Sequence, residues 1–366
     1  MTDQNLILHM GLDLLYSHKL VDICLRSANR WVLVTDTRVE KLYGNDLQQH
    51  LQAQGLKVDL IAFPAGEEYK TRSTKEWVED QMLSRGLGRD SGLIALGGGV
   101  VTDLGGFVAA TYCRGIPLIQ ISTTLLGMVD ASIGGKTAVN VPSGKNMIGT
   151  LYWPLAVFMD ISILKSLPLQ ELQNGIVECI KHGVILDAAY FDFLEKNSTK
   201  ILEGDLTSLQ QVIRDSCQIK LNIVQKDEAE IGIRRLLNFG HTLGHALEIL
   251  THHEVPHGQA VALGMIGEGY LSMKMGILPK KSFERICSIL DAYGISKHVK
   301  SPPSPDEFLN AMKMDKKALK SSPRFVILKE IGECLECEGQ YCQSVDLHAL
   351  QETVEWLCQD LIIRES

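Results

Sequence analysis

Five of the chain's eleven histidines lie in one short stretch, NFGHTLGHALEILTHHEVPHGQ: His241, His245, His252, His253 and His257. Imidazoles at this density invite a metal. His241 and His245 are four residues apart, so on a helix they share a face. A carboxylate with two imidazoles is a catalytic zinc donor set that leaves one coordination position open. Glu178, among the apolar residues of GIVECIKHGVI, is the upstream carboxylate. HTLGH is not HExxH and lacks the adjacent glutamate base of a metalloprotease. Lys181 is three residues past Glu178, where a plain helix salt bridge is the alternative reading. Lys220, Arg234 and Asn238 join the histidines as candidates for one wall of a site.

A second set of candidates is glycine-based. LIALGGGVVTD places Gly97, Gly98 and Gly99 after an apolar run and before a helix-like one. Glycine permits φ > 0 and close backbone approach, and a helix N-terminus offers N–H groups to a pyrophosphate. The pattern is not GxGxxG, so a plain strand–turn–helix corner competes with nucleotide binding. Asp36 ends an early strand, where its carboxylate could accept ribose hydroxyls, and PAGEEYK ends another with Glu67 and Lys70. STTLLGMVDASIGGKTAVNVPSGKNMIG holds Gly-Lys units at Lys136 and Lys145, with Asp130, Asn140 and Asn146. Glycine before lysine lets backbone and ammonium meet an anion together; two exposed turns are the alternative. Walker A spacing is absent.

These residues need elements to hold them. WVLVTD (31–36), the start of VDLIAFPAGEEYK (58–70), the start of SGLIALGGGVVTDLGGFVAATYCRG (91–115) and IPLIQIST (116–123) are continuous apolar strands separated by helical stretches. That pattern predicts a parallel α/β sheet. After MDISILKSLPLQEL (159–172) helical periodicity dominates. The expected division is an α/β domain over 1–160 and an all-α domain over 161–366, with a site in the cleft between them. In SPPSPDE (301–307), a stiff loop, Asp306 is the expected helix N-cap.

Composition narrows the function. The 366 residues are 45% hydrophobic and 22% charged, as in ordinary globular proteins, and support two domains. A net charge of −8 argues against a nucleic-acid partner. No uncharged apolar run approaches the ~20 residues of a membrane span, and the first residues carry no targeting pattern, so a cytoplasmic protein is expected. The nine cysteines are mostly scattered singly, as reduced thiols are. Cys334 and Cys337 form a CxxC with Cys342 nearby; lacking a fourth ligand, it reads as a surface loop.

Nearly the whole chain resembles the 3-dehydroquinate synthase family of sugar-phosphate cyclases. The resemblance rests on GGGVVTDLGGFVAATYCRGI, STTLLGMVDASIGGKTAVNVPSGKNMIG, ECIKHG, RRLLNFGHTLGHALE, HGQAVALGM and MDKK. It implies a Rossmann-like N-terminal domain holding NAD and a helical C-terminal domain holding one divalent metal, zinc or cobalt. The implied reaction converts 3-deoxy-D-arabino-heptulosonate 7-phosphate to 3-dehydroquinate and phosphate. NAD oxidises a ring hydroxyl, phosphate leaves by elimination, the hydride returns, and the opened ring recloses by aldol addition. The departing phosphate can serve as the base for the neighbouring proton.

Carried over residue by residue, the family's metal ligands fall on Glu178, His241 and His257, which splits the His241–His245 pair. His245 falls on the histidine that assists proton movement. Lys136, Asn146, Lys181, Lys220, Arg234, Asn238 and Lys316 fall on substrate contacts, with Lys317 an alternative to Lys316. Arg114 falls on an arginine that reaches the neighbouring subunit's substrate, which implies a homodimer. NAD contacts fall on Asp36, Glu67, Lys70, Gly98, Gly99, Asp103, Thr123, Thr124, Asp130, Lys136, Lys145 and Ser166. His252 and His253 match nothing chemical. Thr102, Ser122 and Ser166 depart from the family's usual glycine, proline and threonine, and none removes a charge. The competing readings are a cyclase acting on sedoheptulose 7-phosphate or glucose 6-phosphate, a metal-dependent NAD polyol dehydrogenase, and a non-enzymatic nucleotide binder.

Overall fold

The computed structural model describes residues 6–252, 254–317 and 323–364, with the backbone alone for 313–317. The chain forms two compact units, Met1–Pro168 and Leu169–Ser366.

The first unit contains β1 (Leu8–Gly11), β2 (Arg30–Asp36), β3 (Val58–Phe63), β4 (Ser91–Gly97), β5 (Leu118–Ser122), β6 (Lys136–Val141), β7 (Gly144–Leu151) and β8 (Ala156–Asp160). Six of these make one sheet in the order β1-β8-β5-β4-β2-β3, parallel at every pairing. The apolar runs are continuous because both sheet faces are covered. Trp31 and Leu33 point to a layer with α1 (His18–Ser27) and α2 (Asn45–Ala53). Val32 and Val34 point the other way, against α3 (Arg72–Ser84) and α4 (Gly99–Thr111). All four side chains are fully buried, and each aliphatic one contributes roughly 1.5–3 kcal/mol. After β2 the chain lays β3 on one side and β4 on the other. The carboxyl ends of β2 and β4, at Asp36 and Gly97, therefore flank the point of order reversal, where open α/β sheets take ligands.

β6 and β7 form a separate antiparallel hairpin whose register shifts between Val139 and Val141. The lysines of both Gly-Lys units are therefore strand residues of one hairpin, not parts of two independent turns. Gly134 and Gly135 take φ of 114° and 67° just before Lys136, whereas Lys145 follows a glycine within β7.

The second unit is built mainly of helices, including α5 (Leu169–Leu186), α6 (Leu206–Lys226), α7 (His241–Leu250), α8 (His257–Lys274), α9 (Lys280–Ala292) and α10 (Pro305–Lys317). Three short strand pairs accompany them, 298–299 with 363–364, 324–325 with 343–344, and 328–330 with 333–334. Strands of two or three residues are too short to leave a periodicity in sequence. The expected cap of α10 is corrected. Ser304, not Asp306, caps it: the Ser304 hydroxyl accepts from Glu307 N at 3.3 Å and Glu307 Oε2 accepts from Ser304 N at 2.8 Å. This is a reciprocal capping box, with Pro305 in the first helical position.

The packing of α5, α7 and α8 depends on glycine. A Cβ on Gly264 would lie 1.9 Å from the Gly240 carbonyl, and one on Gly244 would lie 2.9 Å from the Ala260 carbonyl. A Cβ on Gly258 would lie 2.5 Å from Asn174 Cα. So α8 rests against the backbones of α7 and α5, closer than side chains allow.

Candidate active site

That close packing delivers three donors to one point. Glu178 comes from the middle of α5, His241 is the first residue of α7, and His257 is the first residue of α8. His241 Nε2 lies 3.6 Å and His257 Nε2 3.7 Å from Glu178 Oε1. The three donor atoms fall within 4.8 Å of one another. A tetrahedral ion with bonds of about 2.0–2.2 Å separates its donors by roughly 3.4 Å, so the spacing fits a divalent metal.

The unused atoms strengthen the fit. Glu178 is fully buried, yet among the described residues neither carboxylate oxygen has a well-formed hydrogen bond; Lys181 Nζ is in ion-pair contact with Oε2. Each histidine meets an acceptor at Nδ1. That of His241 is the Phe239 carbonyl at 3.2 Å, and that of His257 is Glu248 Oε1 at 3.4 Å. An Nδ1–H held this way leaves Nε2 as the lone-pair donor.

Electrostatics separates the donors. Burial opposes charge on Glu178, but Lys181, His241 and His257 together hold its carboxyl well below the usual range. Burial, then the Lys181 ammonium, pulls His241 down to about 3. Burial also works against a charged His257, but the nearby carboxylates of Glu178 and Glu248 carry it up to about 9.

His245, one turn beyond His241, keeps 53% of its side chain exposed. Its ring centroid lies 5.1 Å from that of His241 and 6.4 Å from that of His257. Lys181, Lys220 and Arg234 are buried cations of the same unit. Asp227 organises the segment before α7 by accepting from the backbone N–H groups of Ile231, Gly232 and Arg234 at 3.1, 2.8 and 3.0 Å. Arg234 Nη1 donates to the Glu228 carbonyl at 2.8 Å, and Asn238 donates to Glu230 at 3.0 Å. His252 sits in the turn between α7 and α8. His253 and the side chains of Lys316 and Lys317 lie outside the described residues.

The first unit gathers a second cluster at the carboxyl edge of its sheet. Gly97, Gly98 and Gly99 are there for close approach, not for φ > 0, since none has positive φ. A Cβ on Gly98 would lie 3.0 Å from Thr124 Cγ2, and one on Gly97 would lie 2.5 Å from Val101. The first N–H groups of α4 have no carbonyl partner within the helix and point out of its N-terminus. Thr102 returns its hydroxyl to the Gly99 carbonyl at 3.2 Å. Thr123 N bonds the Gly97 carbonyl at 3.0 Å, and Thr124 Oγ1 accepts from Gly127 N at 3.0 Å.

Beside this turn, Lys70 Nζ lies 2.6 Å from both Asp103 Oδ2 and Asn146 Oδ1. Burial pushes the Asp103 carboxyl up, and Lys70 pulls it back. Asn140, at the hairpin's register shift, donates to Glu67 Oε1 at 2.7 Å and accepts from Asn146 N at 2.9 Å. Asn146 takes φ 56° there. Five side chains thus join the loop after β3, the start of α4 and the hairpin.

Other expected residues are engaged elsewhere. Asp36 Oδ1 accepts from Arg38 N and Val39 N at 2.8 and 2.9 Å and caps a helical turn. Ser166 donates to the Ile163 carbonyl at 2.9 Å and meets the Tyr43 hydroxyl at 2.5 Å. Asp130 lies in the helical turn 127–131. Arg114 is exposed, between α4 and β5, with φ 71° between Cys113 at 52° and Gly115 at 111°. It sits at the amino edge of the sheet, about 20 Å along α4 from the glycine turn. The CxxC segment is only partly superficial: Cys337 is exposed, while the thiols of Cys334 and Cys342 face the Ile185 and Arg235 carbonyls at 3.4 and 3.8 Å. Burial pushes Cys342 up to about 11, which disfavours the thiolate a metal needs.

Two residues, Glu248 and Glu268, escaped the sequence reading, and Asn140 was named in it without a role. Glu248 continues the His241–His245 face of α7 at the next turn, a signal that was present. Asn140 was visible in the Gly-Lys stretch but had no spacing to distinguish it. Glu268 on α8 is fully buried near the N–H groups of Gly240, Leu243 and Thr242, and its position had no sequence signal.

A parallel α/β unit followed by a helical unit is a fold that several solved structures share. Glycerol dehydrogenase from Schizosaccharomyces pombe has it at TM-score 0.70 and 14% identity, covering 98% of this chain and 91% of its own. Two cyclases are nearer. A 2-deoxy-scyllo-inosose synthase complexed with carbaglucose-6-phosphate, NAD+ and Co2+ aligns at TM-score 0.88 and 25% identity over 95% of this chain and 96% of its own. The 2-epi-5-epi-valiolone synthase of Streptomyces hygroscopicus, with NAD+ and Zn2+ bound, aligns at TM-score 0.88 and 28% identity over 98% of each chain. The likeness to these two synthases thus sets the chain in the class of sugar-phosphate cyclases. Within it, residues 60–174 match the family described as 3-dehydroquinate synthase N-terminal, and residues 175–318 match 3-dehydroquinate synthase C-terminal. Curated 3-dehydroquinate synthases from Desulforamulus reducens and Thermodesulfovibrio yellowstonii are 45% and 44% identical, each over 82% of this chain and 84% of their own length. The chain belongs to the 3-dehydroquinate synthase family.

Proposed function

We propose that the protein converts 3-deoxy-D-arabino-heptulosonate 7-phosphate to 3-dehydroquinate and phosphate. The observation that carries this reading is Glu178, a buried carboxylate without a well-formed hydrogen bond, faced by Nε2 of two histidines. Identities of 45% and 44% to curated 3-dehydroquinate synthases favour this substrate over those of the cyclases matched at 25% and 28%. NAD and one divalent metal, zinc or cobalt, are the cofactors. When bound, NAD accepts and returns a hydride while the metal acts as a Lewis acid toward the substrate's hydroxyls.

Glu178, His241 and His257 hold the metal. His245, exposed and one turn from His241, hydrogen-bonds a substrate hydroxyl and relays its proton. Lys181, Lys220, Arg234 and Lys316 supply positive charge for the substrate's carboxylate and phosphate inside a protein of net charge −8, and Lys136 is a further substrate contact. Asn238 and Asn146 orient its hydroxyls. The glycine turn with Thr123 and Thr124 binds the pyrophosphate of NAD, and Asp36, Glu67, Lys70, Asp103, Asp130, Lys145 and Ser166 hold the rest.

The first 160 residues form the NAD domain, and 161–366 form the metal and substrate domain. Arg114 serves the neighbouring subunit's site in a homodimer: its exposed side chain stands on strained backbone at the sheet edge opposite the glycine turn. The protein works in the cytoplasm; among the described residues no helix is long and apolar enough to cross a membrane.

The test is to supply NAD, zinc or cobalt and the substrate, and to follow phosphate and NADH together. Stoichiometric phosphate without net NADH is expected. Steady NADH accumulation without phosphate would instead establish a polyol dehydrogenase.

A further inference from the structure

We propose that Glu248 is the positioning carboxylate of the donor cluster. It holds Nδ1 of His257, so that Nε2 is presented toward Glu178, and it ties His245 to the same array. This inference rests on the reading of Glu178, His241 and His257 as metal ligands.

The two histidines solve one problem by different means. Each begins a helix, and each must show Nε2 to Glu178. His241 has a backbone acceptor for Nδ1, the Phe239 carbonyl two residues back at 3.2 Å. For His257 the acceptor comes from the neighbouring helix, Glu248 Oε1 at 3.4 Å. The other oxygen of Glu248 lies 4.0 Å from His245 Nε2. Along α7 the residues His241, His245 and Glu248 follow at intervals of four and three, so one stripe of the helix carries all of them. Glu248 is only 2% exposed. A buried carboxylate is costly unless its partners repay its desolvation, and an imidazole N–H on one oxygen does so.

Removing such a partner leaves the ligands in place and frees the ring to rotate, and metal affinity falls about 10–100-fold. The experiment titrates metal-free protein with Zn2+ against a competing chelator. It compares wild type, Glu248→Gln, Glu248→Ala and His257→Ala. NAD affinity and the melting temperature of the metal-free protein are measured alongside. Glu248→Ala is expected to weaken Zn2+ binding about 10–100-fold, and Glu248→Gln, which keeps an acceptor without the charge, by a smaller factor. NAD affinity stays at the wild-type value.

Wild-type Zn2+ affinity in both Glu248 variants overturns the inference. If Glu248→Ala fails to fold, the isosteric Glu248→Gln decides alone. A parallel loss of NAD affinity marks general damage and also overturns the specific role. Loss in Glu248→Ala as complete as in His257→Ala makes Glu248 a ligand, which equally overturns positioning. The underlying reading fails separately, if His257→Ala keeps its Zn2+.

Discussion

Glu178 and Glu268 are both fully buried, both on long helices of the second unit, and both without a well-formed side-chain hydrogen bond. Their surroundings drive them apart. Glu178 faces Lys181, His241 and His257, which outweigh burial and keep it ionised. Glu268 faces the backbone N–H groups of Gly240, Thr242 and Leu243 at the start of α7, which soften the effect of burial, and its carboxyl rises to about 8. Near neutral pH one is a carboxylate and the other a carboxylic acid. Burial alone therefore does not decide the role of a carboxyl; the charge of its neighbours does. Asp103 in the first unit is intermediate, pushed up by burial and pulled back by Lys70.

The largest effect should come from erasing this contrast at Glu178. Glu178→Gln makes the residue neutral, as Glu268 is, and leaves Lys181 and His257 without their anion. Metal content after dialysis and phosphate release should both fall at least about 1,000-fold, roughly 4 kcal/mol of Lewis-acid stabilisation. Retained metal would remove the difference between the two glutamates.

A smaller effect is expected where polar groups are already satisfied. In the first unit, Asn140→Ala deletes bonds of 2.7 Å to Glu67 and 2.9 Å from Asn146. At about 1 kcal/mol per bond, NAD affinity should weaken by up to roughly 30-fold. Metal affinity should not move, and Asn140→Asp should restore part of the loss by keeping the acceptor for Asn146 N. Isothermal titration with NAD and with Zn2+ separates the two. Equal losses in both would mean that the polar network and the donor cluster are not independent.

The same contrast explains what the sequence exposed. β2 and β4 were legible because each is buried on both faces, which leaves an unbroken apolar run; β3, at the sheet edge, is only partly buried and its run is broken at Asp59. The glycine turn was legible as a turn, but its physical reason is contact with Thr124 and Val101, not left-handed backbone. The donor cluster was not derivable from spacing. His241 and His245 look like the pair, yet Nε2 of His257 faces Glu178, because Gly244, Gly258 and Gly264 let three helices touch. Only resemblance pointed to that trio. Asn140, Glu248 and Glu268 act through contacts between segments that no local pattern connects. Ser304 took the cap from Asp306 because Glu307 could answer it reciprocally.

The last effect concerns Glu268 and its sign. Its carboxyl has an ordinary value of 4.5 and a folded value of about 8. Between those values the folded protein keeps a proton that the unfolded chain has lost. Stability from this group is therefore complete below 4.5 and declines as pH rises to about 8. Glu268→Gln keeps the shape of the acid without the titration. Thermal melts at pH 5 should nearly coincide with wild type. By pH 8 the variant should gain a few kcal/mol relative to it, about 5–10 °C for a unit of this size. Glu178 carries the opposite slope, since its lowered value makes stability fall on acidification. A constant difference between Glu268→Gln and wild type from pH 5 to 8 would place Glu268 in its ionised form. The two buried glutamates would then differ in partners but not in charge.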